Sequence, residues 1–293
     1  MMVYQASPIK RNRATKAEME MRAQFLIDYA RDQSPVTVRQ LFYAATVRDL
    51  IEKSESGYNK VQAQVLALRR EGRLPYRCIA DATRYMRKPQ TYDGWQAALQ
   101  DTALLYRKAL WADTDLEVQV WIEKSALAGV IYPVTSEYDV PLMPTGGYTS
   151  ETFAYGAVAD LQGTGRKLVV HSLYDFDRSG RDATESLREK VHRFGRELRV
   201  QVEFNVLGLT AKQVDELALP TRPPKRNTTA DRGWPYPFAA ELDAIPPDTL
   251  RSMVRDAIER HLPHGQLQHL KTVEEAERDL LRQFSWQAAE YNT

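Results

Sequence analysis

One cysteine, Cys78, occurs in 293 residues, so neither a disulfide nor a cysteine-rich zinc site belongs to the fold. That scarcity suits a reducing compartment, and a cytoplasmic location is expected. No apolar run approaches the roughly 20 residues of a membrane span. The opening MMVYQASPIKRNR lacks the apolar core of a secretory signal, so none is expected. Internal repeats and low-complexity stretches are absent as well. Nor does charge of one sign dominate. The chain carries 40 Lys and Arg against 39 Asp and Glu, a formal net of +1. Binding to nucleic acid would therefore have to come from a local patch. What is present is a composition 43% apolar and 27% charged, which predicts a soluble chain with a substantial core and room for two domains.

The two halves differ in pattern. Residues 15 to about 112 read as helical. Ala17, Met21, Phe25 and Tyr29 recur at helical spacing, with Leu26 alongside. Ser34-Pro35 breaks that run, and Thr37 with Gln40 suggests a capping box for a second helix, TVRQLFYAATVRD. A third helix is predicted from about Gly57 to Glu71, with Gly72 as its stop. LPYRCIAD then reads as a turn and a short extended piece. Three short helices and an extended arm predict a winged-helix-like, all-α domain. From Glu117 onward, strands alternate with helices: EVQVWIE, VPLMPT, KLVVHSLYD and RVQVEFNVLG are the strands. That alternation predicts a mainly parallel, Rossmann-like sheet covered on both faces, hence α/β. The expected divisions are 1–112, 113–219 and 220–293. The last contains a Pro-rich stretch, PTRPPKRNTTADRGWPYP, read as an exposed loop, and then a helical tail.

Chemistry is expected at the carboxyl ends of the strands, where ligands of such sheets bind. Glu123 ends the first strand, and Asp175 and Asp177 end the third. Two carboxylates in a small volume repel, so a positive group should sit between them or one should stay protonated. Three carboxylates facing one cleft suit a hard ion such as Mg²⁺, with Mn²⁺ as the alternative. A DxD also serves as a helix N-cap. Phosphatases of the haloacid dehalogenase type use one too, but early in their fold, whereas two βα units precede this one. Glu241 and Asp243 read as capping or pairing residues, and His171 as a residue packed in the sheet.

WIEKSAL, the turn TGGYTSE and LYDFDRSG together resemble a Toprim domain, over roughly Leu116 to Leu217. The resemblance implies a metal site made by Glu123, Asp175 and Asp177 that acts in DNA cleavage. On the helix TVRQLFYAATVRD, Val38, Leu41, Phe42 and Ala45 form one stripe. Tyr43 lies roughly 100–140° from its centre, on the side of Arg39. A tyrosine so placed is either an ordinary surface residue or a nucleophile whose phenolate the guanidinium favours. Arg-x-x-Phe-Tyr ahead of a Toprim domain resembles the topoisomerase VI A subunit and the meiotic double-strand-break protein family. That resemblance implies Tyr43 as the nucleophile, Arg39 as its partner, a homodimer, and a separate ATPase subunit as a further partner. Toprim nucleases of the plasmid-defence type keep the metal site and hydrolyse DNA without a tyrosyl intermediate, and a non-catalytic DNA-binding protein is the third reading.

The segment ALRREGRLPYRCIADATRYMRK carries Arg69, Arg70, Arg73, Arg77, Arg84, Arg87 and Lys88, opposed only by Glu71 and Asp81, with Tyr76 and Tyr85 between them. It is either a solvated face or the end of a recognition helix and its wing set against duplex DNA. Arg178 and Arg181 flank the DxD and are expected to face a phosphate. Arg222, Lys225, Arg226 and Arg232 would lie on the exposed loop.

Overall fold

The structure is a computed structural model that describes residues 15–80, 89–263 and 265–290, without the side chains of 230 and 285–290. The chain forms two compact units, Met1–Ile79 and Ala80–Thr293.

In the first unit α1 (Lys16–Asp32), α2 (Val38–Val47) and α3 (Glu55–Arg70) pack on one another. The capping box on α2 is present. Thr37 Oγ1 accepts the N–H of Gln40 at 3.0 Å, and Gln40 Oε1 accepts the N–H of Thr37 at 2.9 Å. Gly72 ends α3 at φ 73°, the left-handed stop that glycine adopts without steric cost. Ala23, Leu26, Ile27 and Ala30 are buried, whereas Met21 is 64% exposed. These four stand at i, i+3, i+4 and i+7, a tighter apolar stripe than the one through Ala17 and Met21. After α3 the chain makes a single 3₁₀ turn, Tyr76–Cys78, and Ile79 bridges in parallel to Val36.

The second unit is mixed α/β around a four-stranded, all-parallel sheet. Its first described helix, α4 (Trp95–Leu105), lies along the last, so residues 95–105 pack with the C-terminal part of the chain. The sheet elements follow as β1 (Leu116–Ile122), α5 (Ser125–Glu137), β2 (Leu142–Pro144), α6 (Glu151–Ala159), β3 (Lys167–Leu173), α7 (Arg178–Leu198) and β4 (Val202–Gly208). Then come α8 (Ala211–Glu216), the short α9 (Thr229–Arg232), α10 (Pro247–Glu259) and α11 (Gln266–Glu290). The strand order is β2-β1-β3-β4, so the direction of winding reverses between β1 and β3.

Alternation along the strands divides the core. Trp121, Leu168 and Val170 join Ala157 and Val158 of α6 and Leu187 and Val191 of α7 in one buried cluster. Trp121 is its largest member and meets Phe153 and Phe204 edge-on at 5.2 and 6.1 Å. His171 follows Val170 and so points to the other face, where it meets His261 just beyond α10. It is buried in the sheet, as expected. α5 and α10 pack on each other, and they reach β1 and β4 respectively.

The Pro-rich stretch is not the plain exposed loop that its composition predicts. Its tip is exposed, but Trp234 is buried and Ala239 and Ala240 are completely so. Arg222 and Ala239 form an antiparallel bridge, and Ala240 forms another with Phe176. The rings of Trp234, Tyr236 and Phe238 stand 5.0, 4.9 and 5.6 Å from the ring of Phe176. The physical reason lies in the alternation Trp-Pro-Tyr-Pro-Phe. It supplies three rings, and a bend in this strap, closed by the Trp234 indole N–H donating to the Phe238 carbonyl at 2.9 Å, gathers them around Phe176, the residue between the two DxD aspartates.

Candidate functional site

Ile122 and Leu173 are register partners, so β1 and β3 end side by side at the point where the winding reverses. The backbone N–H of Glu123 donates to the Leu173 carbonyl at 2.9 Å. One step further, the N–H of Asp175 donates to Oε2 of Glu123 at 3.1 Å. The first acid is therefore brought directly onto the DxD. On the other side of β1, the Gly146-Gly147 turn follows β2 with both residues at positive φ (64° and 69°), and the N–H of Gly146 donates to the Glu123 carbonyl at 3.0 Å. Tyr174 reaches across to the same turn through a 2.7 Å hydrogen bond between its hydroxyl and that of Thr145. Burial pushes that phenol up to about 12, so it remains a neutral hydrogen-bonding group.

Asp177 caps α7, its Oδ1 accepting the N–H of Gly180 at 2.8 Å. The structural role of a DxD residue as an N-cap is thus real here. Its other oxygen, Oδ2, lies 2.8 Å from Nη2 of Arg222. Asp175 accepts the N–H of Leu242 on Oδ1 at 2.8 Å and faces the ammonium of Lys124 with Oδ2 at 3.0 Å. Lys124 also lies 2.8 Å from Asp243 and 3.5 Å from Glu241. Glu241 in turn stands 3.9 Å from Arg222. Among the described residues, five carboxylates therefore gather at this end of the sheet with Lys124 and Arg222. Glu123 makes no ion pair among the described residues, and its carboxyl is raised above the usual range first by burial and then by Asp175. Asp175 is raised by burial too, against the opposing pull of Lys124.

Among the described residues no set of three His, Cys, Asp or Glu side chains stands ready in metal-ligating geometry, since Lys124 and Arg222 already face two members of the trio. The donor chemistry nevertheless fits a hard divalent ion. All the donors are carboxylate oxygens, and Glu123, which makes no ion pair among the described residues, accepts a hydrogen bond from the backbone of a second acid.

Tyr43 departs from its expected position off the core face, being only 4% exposed. α2 packs on both α1 and α3, so burial spreads beyond one stripe to Gln40, Leu41, Phe42, Tyr43 and Ala45. The Tyr43 ring lies 5.3 Å from that of Phe42, and the Lys53 ammonium is 5.5 Å from its centroid. Arg39 stacks on Tyr58, with its guanidinium 4.5 Å from that ring.

The basic residues have varied surroundings. Arg70 and Arg77 are exposed, Arg69 stacks on Tyr76 at 4.3 Å, and Arg73 pairs with Glu20. Arg84, Arg87 and Lys88 lie outside the described residues. Arg178 is held by Asp231 at 2.7 Å and Asp182 at 2.6 Å, which fastens the strap to α7 rather than leaving the guanidinium open for a phosphate. Arg181 is exposed and stacks on Trp234 at 5.0 Å.

Sequence reasoning missed the gathering of Lys124, Arg222, Glu241 and Asp243 at the site, although it expected Glu241 and Asp243 to cap or pair and both do pair, with Lys124. A signal was present for Lys124, which adjoins Glu123 at a strand end. The other three depend on the strap folding back, which the alternating prolines and aromatics could have suggested. No family model matches the chain, and no match was found among curated proteins.

Proposed function

We propose that the chain is a divalent-metal-dependent, DNA-cleaving protein of the Toprim type. One observation carries the reading. Glu123 and Asp175, at the ends of adjacent parallel strands, are joined by a 3.1 Å hydrogen bond at the winding reversal, with Asp177 capping the next helix. The strand order and the placement of these acids suit a site that works on phosphate esters. Glu123, Asp175 and Asp177 would hold Mg²⁺ or Mn²⁺. When bound, that ion supplies Lewis-acid stabilisation of charge on a phosphate. The protein's part is to present the carboxylates from the carboxyl ends of two central strands, with Gly180 and the strap fixing Asp175 and Asp177. Duplex DNA is the proposed substrate, and the exposed Arg70 and Arg77 are proposed to meet its backbone.

Two routes for the attack remain distinct. In the tyrosine route, resembling the topoisomerase VI A subunit, Tyr43 Oη bonds to phosphorus, the P–O3′ bond breaks and O3′ takes up a proton. A homodimer is part of this route, with the tyrosine of one protomer serving the site of its partner. In the hydrolytic route a water oxygen bonds to phosphorus instead, and a free 5′ phosphate remains. The burial of Tyr43 favours the hydrolytic route. The test is incubation of supercoiled plasmid with the protein and Mg²⁺ or Mn²⁺, then denaturation with and without protease. Metal-dependent nicking supports the proposal. Free ends indicate hydrolysis, and protein-linked 5′ ends the tyrosine route. A plasmid left intact under both metals counts against the function itself.

A further inference from the structure

The acidic cluster is larger than a single divalent ion needs. Glu123, Asp175 and Asp177 come from the sheet, while Glu241 and Asp243 arrive from the end of the strap. Asp175 stands at the join. Its backbone N–H reaches Glu123, and its Oδ2 faces the opposite group, where Glu241 and Asp243 lie. The carboxylate of Asp175 belongs to that second group, with Oδ1 on the N–H of Leu242 and Oδ2 on Lys124, while its backbone N–H ties it to the first; two such places side by side are the arrangement of sites with two metals, which sit about 3.5–4 Å apart.

The second of these places is taken by a side chain of the protein. Lys124 Nζ lies 3.0 Å from Asp175 Oδ2, 2.8 Å from Asp243 Oδ2 and 3.5 Å from Glu241 Oε2. An ammonium has three N–H donors, and three carboxylates surround this one. The neighbouring Asp243 is buried, and removing the ammonium would take away a cation 2.8 Å from its carboxylate. We infer that Lys124 is a built-in cation filling the second ion position of the site, so that the chain takes one divalent ion and not two. The inference rests on the metal-binding reading above and deepens it, because it fixes the stoichiometry of that site. Lys124 is a positioning residue. It holds Asp175 and draws the strap onto the carboxyl end of the sheet at any concentration of free metal.

The experiment is Mn²⁺ binding to the full chain, followed by electron paramagnetic resonance of the free ion, with folding checked by circular dichroism. Wild type is expected to bind one equivalent, and Lys124→Met to gain a second. Asp243→Asn, which keeps Lys124, is expected to bind one equivalent with an affinity within twofold of wild type. Should Lys124→Met not fold, wild type and Asp243→Asn decide the matter. Two equivalents in wild type, no second equivalent in folded Lys124→Met, or a tenfold loss of affinity in Asp243→Asn would each overturn the inference. No binding at all by wild type would instead overturn the metal reading on which it rests.

Discussion

The carbonyl oxygen of Asp175 lies 2.3 Å from the point where a Cβ on Gly180 would stand. The first turn of α7 thus closes directly on the end of β3, and glycine is required there by contact. This closeness lets Asp177 cap the helix while Asp175 stays beside Glu123. Gly180→Ala has to push helix and strand end apart, at a cost of about 1–3 kcal/mol. A fall in melting temperature of roughly 2–4 °C per kcal/mol is expected, together with weaker Mn²⁺ binding. An alanine variant with unchanged melting and unchanged binding would show that the contact does not position the aspartates.

Tyr43→Phe separates the two routes of cleavage. The hydrolytic route predicts plasmid nicking at the wild-type rate and no protein-linked ends. The tyrosine route predicts loss of nicking on the order of 100-fold or more. Because Tyr43 is buried, melting of the variant has to be measured alongside, so that lost activity is not mistaken for lost folding.

The carboxyls of Glu123 and Asp175 are both raised, chiefly by burial. For such groups the protonated form is the one the fold prefers. Their contribution to stability is complete below the ordinary carboxylate range and is lost as pH rises through the raised values. In metal-free buffer near pH 7, Glu123→Gln should therefore melt higher than wild type. Added Mg²⁺ should narrow or reverse that gap, because a ligand that binds only the native wild type stabilises it. A variant that melts lower than wild type in the presence of a chelator would contradict this.

His171 and His261 present their Nε2 atoms to each other at 3.0 Å, so one ring donates and the other accepts at an unprotonated nitrogen. Burial, with His261 adding to it, lowers His171 from 6.5 to about 4. His261 is lowered by burial as well, with Glu203 pulling the other way and Lys167 and Arg260 reinforcing the shift. A depressed histidine gives stability that is present above its ordinary value and lost as pH falls from about 6.5 towards 4. The His171 contribution alone should weaken the fold at pH 5 relative to pH 7 by on the order of 2 kcal/mol, against the opposite trend of Glu123 and Asp175, and urea denaturation reads it as the difference in pH dependence between wild type and a variant without His171. His171→Leu should lack that contribution, and an unaltered slope would place the effect elsewhere.

The parallel sheet was readable from Val-, Ile- and Trp-rich runs alternating with helices, and the capping box of α2 from Thr37 and Gln40 alone. These are local patterns with short-range causes. The pairing of Glu123 with Asp175 was legible because both end strands of one sheet. The burial of Tyr43 was not, since a helical wheel places residues around one helix and does not count the helices packed on it. The acids Glu241 and Asp243 likewise reach the site only because Trp234, Tyr236 and Phe238 fasten the strap on Phe176. Contacts of that kind, between segments more than 50 residues apart, leave only a weak trace in composition. Arg178 illustrates the same limit. Beside a DxD it reads as a phosphate ligand, yet Asp231 from the strap holds it.

The most direct measurement is plasmid cleavage by Glu123→Gln under Mg²⁺ or Mn²⁺, with DNA binding measured in parallel. Glu123 lacks an ion pair among the described residues and is the acid most in need of a divalent ion, so its amide should cleave about 100-fold more slowly or worse. DNA affinity should stay within a few-fold of wild type. Cleavage by Glu123→Gln at the wild-type rate would contradict the assignment of the metal site.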